Sequence, residues 1–189
     1  MTKSLLQEFF EEVYFPHTSD KSLLLIDSWS TYNDMESIEY VRPLQKKLKI
    51  MKIPPKTTGI IQPLDVYFFR MWKDFVRKFS DRVLLENLPV LLYQRDNILK
   101  LQSLTHNQFS AYRFKSFIQY AWIKAGYLTE ITEKHITPVH YCFHTCFTQK
   151  CMKFDNERPC EEICFMRCAH CELYLCFQHV FIKNHYCTS

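Results

Sequence analysis

Residues 21–65 read KSLLLIDSWSTYNDMESIEYVRPLQKKLKIMKIPPKTTGIIQPLD, and the fold turns on this stretch. Lys21–Asp27 is a short apolar run ending in an acid, the pattern of a buried strand with a carboxylate at its C-terminal edge. After a turn at Tyr32–Asp34, residues 35–48 read as a helix and Leu48–Ile53 as a second buried strand. Strand, helix, strand predicts a parallel pair joined by a right-handed crossover, and hence an α/β fold. PPKTTGIIQP at 54–63 holds three prolines and one of the two glycines of the chain, so it reads as a loop. Pro63 then suits the first position of a helix over 64–79, with Leu64, Phe68, Met71, Trp72, Phe75 and Phe79 on one face.

Working outward, Leu5, Leu6, Phe9, Phe10 and Val13 recur at helical spacing in residues 3–13, which Pro16 closes. Residues 81–101 and 107–125 read as further helices, the last ending near Gly126, a natural C-cap. The aromatic density of 107–127 reads as a helical core, not a base-stacking platform. Two glycines in 189 residues exclude glycine-rich phosphate loops and collagen-like repeats. Hydrophobic residues at 47% against 23% charged match a packed protein, not a disordered one. No stretch approaches the roughly 18 apolar residues of a membrane span, and Glu8, Glu11 and Glu12 interrupt the N-terminal apolar run, unlike a secretory signal. An intracellular protein is expected.

Charge is unevenly distributed. Residues 42–82 hold eleven lysines and arginines against three aspartates, a local +8 inside a chain of net +4. Such an excess suits a polyanion, nucleic acid first, although a solvated lysine-rich face carries the same pattern. Asp27 and Asp65 would both lie at the C-terminal edge of the sheet, where open α/β sheets place their sites. Two carboxylates there, one at a helix N-terminus, suit a hard divalent cation such as Mg²⁺. As bare spacing, Asp65 reads equally as a first-turn acid and Asp27 as a turn-initiating residue.

The local sequence sharpens this. LLLIDSW at 23–29 followed by IPPKTTGIIQPLD at 53–65 resembles the DDE superfamily endonuclease domain of pogo- and Tigger-type transposases. Pro54, Pro55, Thr57, Thr58, Gln62, Pro63, Leu64 and Asp65 match its motif position by position. The resemblance implies an RNase H-like fold in which three acids bind two Mg²⁺ or Mn²⁺ ions for phosphodiester cleavage, with Asp27 and Asp65 as the second and third acids. The family's first acid lies on an earlier strand, whereas 26 residues precede Asp27. Glu8, Glu11, Glu12 and Asp20 belong to a helix and a loop. The expectation is a partial RNase H-like domain over 1–135 that binds DNA in the nucleus without cutting it, and that takes Mg²⁺ or Mn²⁺ only if the site is completed. An active endonuclease completed by missing sequence is the alternative. Arg70, Lys73, Arg77 and Lys78 on the helix, with Lys56 in the loop, are the candidate DNA contacts.

All nine cysteines fall between Cys142 and Cys187, which marks a second module over 142–189. In a reducing compartment clustered cysteines read as metal ligands before disulfides. Cys160, Cys164, Cys168, Cys171, Cys176, His179, His185 and Cys187 offer four ligand pairs, enough for two closed tetrahedral zinc sites of structural type. One zinc held by Cys168, Cys171 and two of Cys176, His179 and His185 is the alternative. The spacing is similar to the cross-brace tail of piggyBac-type transposases and to RING-like zinc folds. That analogy implies that Cys160, Cys164, Cys176 and His179 share one ion, and Cys168, Cys171, His185 and Cys187 the other. Cys142, Cys146 and Cys151, with His144 among them, are left over and read as small buried hydrophobes or free thiols, an added ligand being the alternative. Such tails bind DNA ends or partner proteins, and a RING-like protein-interaction module is a further alternative. Five acids balance five basic residues in 142–189, so charge does not favour DNA there.

Overall fold

In the computed structural model, residues 2–129, 134–155 and 157–187 are described. The chain divides into two compact units, Met1–Val66 and Tyr67–Ser189, each mixing helices with two-stranded sheets. No helix among the described residues is long and apolar enough to cross a membrane.

In the first unit α1 (Lys3–Glu8) starts at Thr2, whose Oγ1 accepts the Leu5 N–H at 3.3 Å, and continues as a π-helical turn over Phe9–Tyr14. Strands β1 (Lys21–Ile26) and β2 (Lys47–Lys52) pair in parallel, Lys21 opposite Lys47 and Ile26 opposite Lys52. Because side chains alternate along a strand, Leu24, Leu48 and Ile50 pack on Leu6, Phe10, Phe15 and Ile38, while Lys21, Leu23, Lys47 and Lys49 are exposed. The connecting helix α2 is Met35–Tyr40, shorter than the expected 35–48. Pro43 has no N–H and disfavours helical geometry at Arg42, so the helix stops before it. The expected loop at 54–63 contains one helical turn, α3 (Thr58–Ile61).

A π-helical turn over Leu64–Phe68 spans the division, and the second unit continues as α4 (Phe69–Leu85). The expected helix over 81–101 is interrupted at residues 86–94. Asn87 takes φ 49°, its N–H reaches Leu84 O at 3.1 Å, and the Leu88 N–H reaches Val83 O at 3.0 Å. That is a Schellman closure with asparagine in the left-handed position, followed at once by Pro89. Helix α5 (Arg95–Phe109) then runs to Ser110, and α6 (Lys115–Lys124) ends in a second closure of the same kind. There Gly126 has φ 81°, its N–H meets Ile123 O at 3.0 Å, and the Tyr127 N–H meets Trp122 O at 3.0 Å. The Trp122 and Tyr127 rings, 5.6 Å apart, complete it.

Helix α7 (Pro138–Phe143) leads into two antiparallel hairpins, β3 (Phe154–Asp155) with β4 (Arg158–Pro159), and β5 (Met166–Arg167) with β6 (Tyr174–Leu175). A π-helical turn over Gln178–Ile182 follows. The main core of this unit joins the helices to the tail: Phe75, Phe79 and Val83 of α4, Leu101, Leu104 and Phe109 of α5, and Phe117 of α6 pack with Phe143, Phe165, Met166, Leu175, Val180 and Phe181. The sequence expectation set a division near 135–142. Packing divides the chain between Val66 and Tyr67, because phenylalanines from α4 and from the tail bury one another.

Candidate metal centres and nucleic-acid face

Asp27 follows β1 directly, and its Oδ1 accepts the Trp29 N–H at 3.0 Å, closing a local turn. Trp29 itself is exposed. The Ile53 N–H donates to Ile26 O at 2.7 Å, so Asp27 and the Pro54 loop leave the sheet at the same edge. In that loop Thr57 donates both its N–H and its hydroxyl to Pro54 O, at 3.3 and 2.7 Å, across a turn in which Lys56 has φ 67°. A left-handed lysine costs about 1–2 kcal/mol relative to an ordinary backbone, and Lys56 projects to solvent. Asp65 is exposed in the first turn of the π-helical segment Leu64–Phe68. Among the described residues, neither aspartate joins a group of three or more ligand-type side chains close enough to share an ion. Glu8 lies in α1, Glu11 and Glu12 in the turn after it, and Asp20 at the opposite end of β1 from Asp27.

Helix α4 separates core from charge. Phe75, Phe79 and Val83 face inward, and Arg70, Lys73 and Arg77, spaced by three and four residues, share the outer side. Arg70 and Lys73 are exposed and take part in no ion pair among the described residues, whereas Arg77 pairs with Asp74. Lys78 is half-buried, its Nζ 6.0 Å from the centre of the Phe147 ring. Arg82 belongs to the core: 2% exposed, it donates from Nε to Glu86 Oε1 at 2.8 Å and from Nη2 to Cys164 O at 3.2 Å, and also bonds Phe165 O. Its guanidinium lies 4.6 and 4.7 Å from the centres of the Phe147 and Phe165 rings. The local charge excess counted from sequence therefore includes one cation that no polyanion reaches.

Two side-chain sets in the tail have tetrahedral ligand chemistry. The first is Cys151, Cys160, Cys176 and His179, all buried; the second is Cys168, Cys171, His185 and Cys187. Within each set the ligand atoms all lie within 4.8 Å of one another. Tetrahedral zinc, with bonds of about 2.3 Å to sulfur and about 2.0–2.1 Å to nitrogen, spaces its ligand atoms about 3.5–3.8 Å apart. In the first set Cys160 and Cys176 sulfurs are 3.9 Å apart, and His179 Nδ1 lies 3.3 Å from Cys151 Sγ and 3.2 Å from Cys176 Sγ. In the second, His185 Nε2 lies 3.4 Å from Cys171 Sγ and 3.3 Å from Cys187 Sγ. Both sets fit a closed, structural ion.

Cys151 stands where the sequence expectation put Cys164. The backbone explains it: the Cys151 N–H bonds Glu162 O and the Cys160 N–H bonds Lys153 O, both at 2.8 Å, so the β3–β4 hairpin brings the two thiols together. Cys164 instead faces Cys146, whose Sγ lies 3.0 Å from Cys142 O, and these three thiols are fully buried. The hydrogen bond between Cys164 and Cys146, with burial, pushes the Cys164 thiol up, and the same hydrogen bond draws that of Cys146 down against the opposing effect of its burial. Burial, with neighbouring thiols, holds Cys176 and Cys187 up at about 12, the behaviour of crowded sulfurs that a cation would reverse.

The surrounding groups orient both sets. His179 Nε2 meets Asp155 Oδ1 at 3.1 Å, and Lys183 also bonds that carboxylate. Lys183 first, and His179 with it, hold the Asp155 carboxyl below the usual carboxylate range. Around the second set, Gln108 Oε1 accepts the Ala169 N–H at 2.6 Å and Gln108 Nε2 points at Cys168 Sγ at 3.8 Å. Asn107 Nδ2 donates to Cys187 O at 2.8 Å. Sequence reading missed Asp155, Asn107 and Gln108. The only advance signal for Cys151 was its place nine residues before Cys160.

Compared with known families, residues 1–137 match the DDE superfamily endonuclease family. The chain belongs to the DDE superfamily of endonucleases. Residues 122–187 match the Tc5 transposase C-terminal domain, so the cysteine-rich tail is transposase-related as well. No curated protein and no solved structure matches the chain. The two family matches overlap at 122–137, within the second compact unit, so the DDE match spans both units and the Tc5 match lies inside the second.

Proposed function

We propose that this DDE superfamily chain is a transposase-derived DNA-binding protein that does not itself cut DNA, with a tail folded around two structural zinc ions. The observation that carries the reading is the outer stripe of α4: Arg70 and Lys73 exposed and outside any ion pair among the described residues, with Arg77 one turn on, opposite an inner face of Phe75, Phe79 and Val83. Such a stripe follows a phosphate backbone, and each neutralised phosphate releases counterions. Lys56, held left-handed beside the edge that carries Asp27, is a second phosphate contact. On this reading residues 1–135 derive from an RNase H-like domain in which Asp27 and Asp65 are vestigial, and the protein acts in the nucleus. Cys151, Cys160, Cys176 and His179 hold one zinc, and Cys168, Cys171, His185 and Cys187 the other.

Duplex binding by the full chain, measured against salt, tests the reading. Reversing Arg70, Lys73 and Arg77 to glutamate should lower affinity and flatten the slope of log K against log salt by about 2–3. Salt-independent binding, or an unchanged slope, would overturn it. A nicking assay with Mn²⁺ separates the alternative: cleavage lost in Asp27→Ala and Asp65→Ala would establish an active endonuclease.

A further inference from the structure

Helix α7 carries a feature that neither the DNA reading nor the cysteine sets use. Thr137 Oγ1 accepts the His140 N–H at 3.3 Å, and the His144 N–H reaches His140 O at 3.1 Å with helical dihedrals of −64° and −39°. His140 and His144 are therefore one complete α-helical turn apart and project on the same side. Both are exposed, while Pro138, Cys142 and Phe143 anchor the opposite side in the interior. The two imidazole rings lie 4.3 Å apart, centre to centre, at 39°. Two imidazoles bound to adjacent positions of one ion, each nitrogen about 2.0–2.1 Å from it, hold their ring centres about 4.5 Å apart. Paired histidines at this spacing are the ligand half of helical zinc motifs, and here no glutamate lies between them.

We propose that His140 and His144 form a surface chelate for a late first-row divalent metal ion, with copper(II) and nickel(II) held ahead of zinc(II). The donor set is nitrogen only, and neither histidine belongs to the two cysteine sets. Imidazole suits these ions, and affinity at a given nitrogen site rises through nickel(II) to copper(II) and falls again at zinc(II). The helix is already formed and anchored, so little ordering cost opposes binding. Water fills the remaining positions.

The test uses the full chain, untagged and first saturated with zinc so that the thiols are occupied. On immobilised nickel(II) the wild type should elute at higher imidazole than His140→Asn, His144→Asn or the double variant. These three should elute together, because a chelate needs both rings and losing one weakens binding about tenfold or more. Copper(II) added at one equivalent should give an electron paramagnetic resonance spectrum with two nitrogen ligands, lost in either single variant. Equal elution of all four proteins, single losses that merely add to the double, or a two-nitrogen spectrum surviving in a single variant would each overturn the proposal. Zinc content should be the same in all four. A fall in either single variant would place that histidine among the thiol-bound ions and likewise overturn it.

Discussion

His179 turns Nε2 toward Asp155 Oδ1 at 3.1 Å and Nδ1 toward the sulfurs of Cys151 and Cys176 at 3.3 and 3.2 Å. The carboxylate fixes the tautomer, leaving the Nδ1 lone pair for a metal. Replacing Asp155 with alanine should therefore weaken zinc at this set by about 10–100-fold and leave the Cys168 set unchanged. Chelator competition, read as two separate zinc equivalents, measures it.

Cys151 groups with Cys160, Cys176 and His179 where the analogy to cross-brace tails puts Cys164. Cys151→Ser should lose one zinc equivalent by elemental analysis, whereas Cys164→Ser should retain both and instead lower thermal stability, because it places a hydroxyl among fully buried thiols. Loss of zinc in Cys164→Ser with full retention in Cys151→Ser would restore the pairing by analogy.

Arg82 ties α4 to the tail through Cys164 O and Phe165 O while pairing with Glu86. Truncation to alanine leaves two carbonyls and the edge of a carboxylate without their donor, and should cost roughly 3–5 kcal/mol in denaturant unfolding. Lysine should not restore it, since one ammonium cannot span these acceptors as the guanidinium fork does.

In the first unit Asp34 caps α2, accepting the Ser37 N–H at 3.1 Å on Oδ1 and the Ser37 hydroxyl at 2.7 Å on Oδ2. The hydroxyl first, then the N–H, hold its carboxyl below the usual value of 3.8. A depressed carboxyl contributes its full stability above the unfolded value and loses it as pH falls through the lower folded value. The protection of the Ser37 amide, its exchange rate compared with that of an unfolded amide at the same pH, should therefore fall below about pH 4 in the wild type. In Asp34→Asn, which still caps but does not titrate there, that extra acid sensitivity should vanish.

The parts of the fold legible in sequence were those with one dominant local cause. The apolar run at 21–26 became β1, residues 47–52 became β2 beside it in parallel, and Gly126 closed α6. The motif from Pro54 to Asp65 carried the family, and 1–137 match it. The helix over 81–101 was misread because Asn87-Leu88-Pro89 is a stop signal as strong as glycine, yet asparagine announces itself less plainly. The extent of the second unit was not legible, since nothing in a sequence says which phenylalanines will face one another. The grouping of Cys151 with Cys160 was not legible for a related reason: the hairpin that carries it there has strands of two residues, too short to leave a periodic pattern.

The core that α4, α5 and α6 share with the cysteine-rich tail means that the family boundary near residue 137 is not a place where the chain can be cut. A fragment ending there would present Phe75, Phe79, Val83 and Leu104 to water and should aggregate. The charged stripe of α4 and the thiols of the tail thus stand or fall together: on the reading proposed above, in which the tail holds zinc and the stripe holds DNA, the metal supply of the cell sets how much of that surface exists at all.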